Sequence, residues 1–136
     1  MRRVAECVCG QLKVTMDEDP VRVVICNCTY CQKRSGSPYG LSAYFEKERQ
    51  LVSIEGDHKA FRRTSQRGRW TEHHFCPNCG SAVFWYVEMA PDWIGMAAGT
   101  FVDPNFPEPQ SAAWVGTKFK WVDFPNDIEI YEEQRI

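Results

Sequence analysis

The chain has 136 residues, enough for one domain with a real core, and its 43% hydrophobic and 25% charged residues are typical of a globular fold rather than wholesale disorder. A formal charge of −2 and a pI near 5.9 argue against general nucleic-acid binding. Met1-Arg2-Arg3-Val4-Ala5-Glu6 carries no apolar run behind its arginines, and no later segment approaches the roughly 20 apolar residues of a membrane span, so the expectation is a cytoplasmic protein with no membrane association.

Arg2 to Val8 and Gln11 to Met16 read as two short strands with alternating apolar positions, meeting at Cys9-Gly10. In extended backbone Cys7 and Cys9 share a face, and Gly10 lets the chain turn close beside them. Asp17-Glu18-Asp19-Pro20 is a polar turn, and Val21 to Ile25 is a third strand running into Cys26-Asn27-Cys28-Thr29-Tyr30-Cys31. Thr29 to Ser35 predicts one short helical turn, stopped at Gly36. Tyr39 to Phe45, Leu51 to Ile54 and Lys59 to Thr64 predict further strands. Trp70 to Phe75 leads into Cys76-Pro77-Asn78-Cys79-Gly80, with Ser81 to Val87 and Trp93 to Ala98 strand-like behind it. Pro104, Pro107 and Pro109 make Asp103 to Gln110 an irregular loop, after which Ala112 to Val115, Phe119 to Val122 and Ile128 to Tyr131 supply the last extended pieces. No long helical stripe and no internal repeat interrupts this pattern. The sequence predicts a mainly β fold of many short strands in a single domain over residues 1–136.

All seven cysteines fall in C-x-C or C-x-x-C units. In a reducing compartment such clusters are metal ligands or catalytic groups more often than disulfides, and an odd count leaves one thiol over in any all-disulfide scheme. A division of four and three uses every one. Cys76-x-x-Cys79-Gly80 has the spacing of a zinc knuckle, and Cys7-x-Cys9-Gly10 supplies a partner pair. A closed four-thiolate shell has no open position and would serve stability. A redox dithiol at Cys76 and Cys79 is the competing idea, without the βαβ context that usually surrounds one.

Cys26, Cys28 and Cys31 remain. Either they form an open three-thiolate site, or a histidine (His58, His73 or His74) completes a second structural one. An open position on a thiolate-rich zinc favours a sulfur ligand, holds an incoming thiol as thiolate, and can polarise a carbonyl. That chemistry suits addition of a thiol to a small aldehyde, or its reversal. Lys33 and Arg34 follow the cluster, and Lys59, Arg62, Arg63, Arg67 and Arg69 form a basic run; either set could hold an anionic thiol or be a solvated face. The alternative of another class is a non-catalytic, zinc-stapled module that binds protein or nucleic acid through the Lys59 to Arg69 run. Trp85, Tyr86, Trp93, Trp114 and Trp121 could line a pocket, but are expected mainly in core or sheet packing.

The ordered set Cys7-x-Cys9-Gly10, Cys26-x-Cys28-x-x-Cys31, Phe75-Cys76-x-x-Cys79-Gly80-Ser81 and Gly99-Thr100-Phe101-Val102-Asp103-Pro104 resembles the glutathione-dependent formaldehyde-activating enzyme (GFA) family, whose relatives include centromere protein V. The resemblance implies an Mss4-like fold of short antiparallel strands stapled by two zinc ions. It implies structural zinc on Cys7, Cys9, Cys76 and Cys79, and catalytic zinc on Cys26, Cys28 and Cys31. The implied activity is carbon–sulfur lyase chemistry joining formaldehyde and glutathione as S-(hydroxymethyl)glutathione. Two positions depart from the pattern: Asn27 stands where the family commonly has histidine, and Ala112 where a histidine often precedes the late aromatic-and-lysine segment. Neither is an implied zinc ligand; both bear on substrate identity.

Overall fold

A computed structural model describes residues 1–133, and the chain there is mainly β. Strand β1 (Arg2–Glu6) pairs antiparallel with β2 (Lys13–Asp17), and β2 with β5 (Leu51–Glu55), giving a three-stranded sheet. The larger sheet has eight strands. From one edge they run β11 (Glu129–Ile130), β10 (Ser111–Ala113), β3 (Arg22–Cys26), β4 (Gly40–Glu46), β9 (Trp93–Ala97), β8 (Ala82–Val87), β7 (Trp70–Phe75) and β6 (Lys59–Thr64). Helices α1 (Thr29–Ser35) and α2 (Lys47–Gln50) are short. Among the described residues, no helix is long and apolar enough to cross a membrane.

The alternation expected of half-buried strands places Val14 and Met16 of β2 inward, where they join Leu12, Phe45, Phe84, Ile94 and Met96 in one apolar cluster. Each such side chain contributes roughly 1.5–3 kcal/mol on burial. Arg3 is buried on the same strand face as Ala5 and is neutralised by Asp19 at 2.6 Å and Asp103 at 2.9 Å. Its guanidinium also lies 5.0 Å from the Phe106 ring centroid, so the Asp103-Pro104 corner is tied to β1. Gly95 pairs with Trp85 across β8 and β9, and a Cβ there would run into the indole. The bare backbone thus lets Trp85 lie flat and buried across the strand.

Three elements differ from the sequence expectation. The pairings of β10 with β3 and with β11 are parallel, so the antiparallel rule fails at this edge of the larger sheet. Val115–Thr117 is a 3-10 turn, and Phe119 to Val122 is no strand because Lys118 Nζ donates to the carbonyls of Phe119 and Val122 (3.2 and 2.9 Å) and curls the segment. The α2 turn was not expected. Gln50 anchors it from a buried position, its amide donating to the carbonyls of Asp17 and Asp19 and accepting from the Glu46 N–H.

Candidate metal centres

Strand β1 ends at Glu6, so Cys7 and Cys9 lie in the turn that follows rather than on one strand face. The turn closes through Cys7 N–H to Leu12 O and Gly10 N–H to Cys7 O, both 3.0 Å. It brings Cys7 Sγ and Cys9 Sγ to 3.7 Å, and Cys9 Sγ lies 3.7 Å from Cys76 Sγ. Cys79 completes the group, whose sulfurs all lie within 4.8 Å of one another. Four sulfurs at about 2.3 Å from a tetrahedral ion stand about 3.8 Å apart, so the spacing fits zinc, and it far exceeds the roughly 2.05 Å of a disulfide.

The chain orients these sulfurs through hydrogen bonds. Leu12 N–H donates to Cys7 Sγ (3.3 Å), and the Gln11 amide to Cys76 Sγ (3.1 Å). Ser81 binds both halves of the site, its hydroxyl accepting from Val8 N–H at 3.1 Å and lying 3.3 Å from Cys79 Sγ. That hydroxyl, with neighbouring backbone N–H groups, pulls the Cys79 thiol down to about 5. Donors aimed at sulfur favour thiolates, the form a cation needs. Cys7 and Cys76 are buried with the apolar cluster, whereas Cys9 faces solvent.

The second group forms where β3 gives way to α1. Cys26 is the last residue of β3, flanked across the sheet by Ala113 of β10 and Gly40 of β4. Small neighbours on both sides leave room beside its sulfur. Cys28 caps α1, accepting from Cys31 N–H at 3.3 Å in the place a serine or aspartate usually fills. The sulfurs of Cys26, Cys28 and Cys31 lie within 4.8 Å of one another, all partly exposed. Hydrogen bonds among the three thiols drive Cys28 down to about 2 and Cys26 far above its ordinary value. A cation among the three sulfurs would favour the thiolate form of each.

Among the described residues, no histidine or carboxylate ligand atom joins this group. Each histidine is engaged elsewhere. His73 is buried, with Nδ1 hydrogen-bonded to the Tyr30 hydroxyl at 3.1 Å and its ring 5.1 Å from that of Trp85. Burial, aided by the nearby Arg34 and Arg63 charges, holds its imidazole neutral by lowering its pKa to about 3. His74 Nε2 meets Glu72 at 2.8 Å, and His58 Nδ1 lies 3.3 Å from Gly56 O.

Asn27 is buried between Cys26 and Cys28 and staples the turn. Its backbone N–H and side-chain amide both donate to Ala113 O (3.0 and 2.9 Å), while its carbonyl accepts from Gln32 Nε2 and Thr117 Oγ1. Ala112 is buried in β10 opposite Ile25, and Asn27, one residue past the end of β3, bonds to the neighbouring Ala113, so the two departures from the familiar histidine pattern lie close together. Arg34, three residues after Cys31 on the same face of α1, places Nη2 3.8 Å from Cys31 Sγ and its Cζ 4.8 Å from the Trp85 ring centroid. Spacing alone gave no sign of Trp85 or Gly40 at this site. The basic run disperses along β6 and the following turn. Arg62 pairs with Glu72 (2.9 Å), Arg67 reaches Glu133 (3.9 Å), and Arg63 stacks on Tyr30 of the cysteine-bearing turn, 3.9 Å from its ring centroid. Of the five aromatic residues singled out, Trp85 is buried and Trp121 is 72% exposed.

Residues 2–117 match the family model described as glutathione-dependent formaldehyde-activating enzyme. None of the curated proteins compared matches the chain. A crystal structure of a Rhodobacter sphaeroides protein superposes with a TM-score of 0.57 at 14% identity, over 96% of this chain and 99% of that one, a likeness of fold alone.

Proposed function

The chain belongs to the glutathione-dependent formaldehyde-activating enzyme family, and from that premise we propose that it is a zinc-dependent carbon–sulfur lyase. It joins a thiol such as glutathione to formaldehyde or a similar small aldehyde, or parts the two. Cys7, Cys9, Cys76 and Cys79 hold a structural zinc, and Cys26, Cys28 and Cys31 hold a catalytic one. The observation that carries this reading is the three-sulfur group itself, to which, among the described residues, no further ligand is added.

A zinc ion held by Cys26, Cys28 and Cys31 would supply one open position, at which a thiol would be kept as thiolate or a carbonyl oxygen polarised. Cys26, at a strand end, and Cys28 and Cys31, at a helix start, set the direction from which substrates approach. The Arg34 guanidinium offsets the net negative charge of a three-thiolate site. Buried Trp85 and His73 pack against Arg34 and Tyr30 of α1, the helix that carries Cys31. In the net reaction the sulfur bonds to the aldehyde carbon, C=O becomes C–O–H, and the thiol proton ends on that oxygen. No oxidant or further reactant is required.

Calorimetry with glutathione, together with NMR exchange between formaldehyde and its thiol adduct, tests this reading. Binding, and exchange faster than the spontaneous reaction, are the expected results. Absence of both overturns the glutathione assignment.

A further inference from the structure

We propose that Arg34 is the residue that selects the thiol substrate, by taking a carboxylate group of that substrate in the cleft between α1 and the Cys79–Ala82 turn; this rests on the open-site reading above. The cleft measures about 430 Å³, with Arg34 and Ser35 on one side and Cys79, Gly80, Ser81 and Ala82 on the other. No carboxylate lines it, and the Cys79 sulfur there is engaged by the Ser81 hydroxyl at 3.3 Å. The position of Arg34 is built by three features, one on β8, one on β4 and one on its own helix. Trp85 supports the guanidinium through its ring face. Gly40 leaves it space, since a Cβ there would stand 2.6 Å from Nη2. Cys31 Sγ lies 3.8 Å from the same nitrogen.

Among the described residues, Arg34 makes no ion pair with a carboxylate, although Arg3, Arg49, Arg62 and Arg67 all do. Its Nε is buried without a hydrogen-bond partner, so among the described residues part of the cost of withdrawing the guanidinium from water is left for a ligand to offset. A half-buried arginine fork beside a cleft and 3.8 Å from a ligand-type sulfur has the right place to read an anion on a molecule whose thiol enters the three-cysteine site. Its natural complement is a planar carboxylate a few bonds from the sulfur. Arg63, stacked over Tyr30, adds positive potential on the same side.

The test is calorimetric titration of the zinc-loaded protein at low ionic strength with 3-mercaptopropionate and with its uncharged amide, 3-mercaptopropionamide. The wild-type protein is expected to bind the acid about tenfold more tightly than the amide, the size of one charge-assisted hydrogen bond at a partly solvated site. In Arg34→Gln the two ligands fall within about twofold of each other, a change in ratio that general loosening of the fold does not produce. Arg34→Lys, which keeps charge but not the fork, is the second variant and retains about threefold. Equal binding of acid and amide by the wild-type protein, or an undiminished tenfold preference in either variant, overturns the assignment of Arg34 while the open site stands. If neither thiol binds, the open-site reading fails and the assignment fails with it.

Discussion

Replacing Cys31 with serine is expected to yield a folded protein that carries one zinc instead of two and has lost at least about 100-fold of its thiol–aldehyde activity. The loss exceeds that for groups which merely orient a metal ligand, typically about 10–100-fold, because the ligand itself is removed. The fold is expected to survive because Cys31 sits on a short, partly exposed helix that buries none of its residues. The turn that carries it keeps its bonds from Asn27 to Ala113 O and from Gln32 to the Asn27 and Thr117 carbonyls. Elemental analysis, far-UV circular dichroism and the adduct-exchange rate check all three parts. Full activity with a single zinc would remove Cys31 from the reaction.

The second large effect is on stability. Cys76→Ser is expected to leave a chain that is mostly unfolded, or soluble only in trace amounts, at physiological temperature. Cys76 is wholly buried in the apolar cluster and receives the Gln11 amide at 3.1 Å. It lies 3.7 Å from Cys9, whose turn belongs to the N-terminal strand pair. A metal held there would clamp the three-stranded sheet to the eight-stranded one. Structural zinc contributes on the order of 10 kcal/mol to folding, and typical domains are stable by only about 5–15 kcal/mol, so losing the ion consumes most of the margin. Thermal melting followed by circular dichroism measures this. A variant melting within a few degrees of the wild-type protein would show that the four-cysteine group is not what holds the sheets together.

The contrast between these variants has a local origin in the sequence. The cysteine units and most strands were legible because turn chemistry and apolar alternation act over a few residues. Thr29–Ser35 and Trp70–Phe75 form where their own patterns place them. Cys7 and Cys9 were grouped correctly but by a different device, since the chain leaves the strand after Glu6 and a turn aims the sulfurs. Long-range topology was not readable. Three residues, Ser111–Ala113, pair with β3 in parallel register across a long stretch of intervening chain, and no period announces it. Likewise Arg34, Gly40 and Trp85 come from three elements whose adjacency is a product of sheet order. The curl around Lys118 defeated the strand expected at Phe119 because one ammonium group gathers two carbonyls of its own segment.

The central claim is that four sulfurs enclose one ion while three hold another with a place left for substrate. Zinc-edge X-ray absorption of the purified protein, read with elemental analysis, tests it most directly. Two zinc ions per chain are predicted, sharing seven sulfur ligands between them, with one light-atom ligand on one ion that a thiol replaces on addition. A single zinc per chain, or two ions whose ligand shells do not change when thiol is added, would contradict the account.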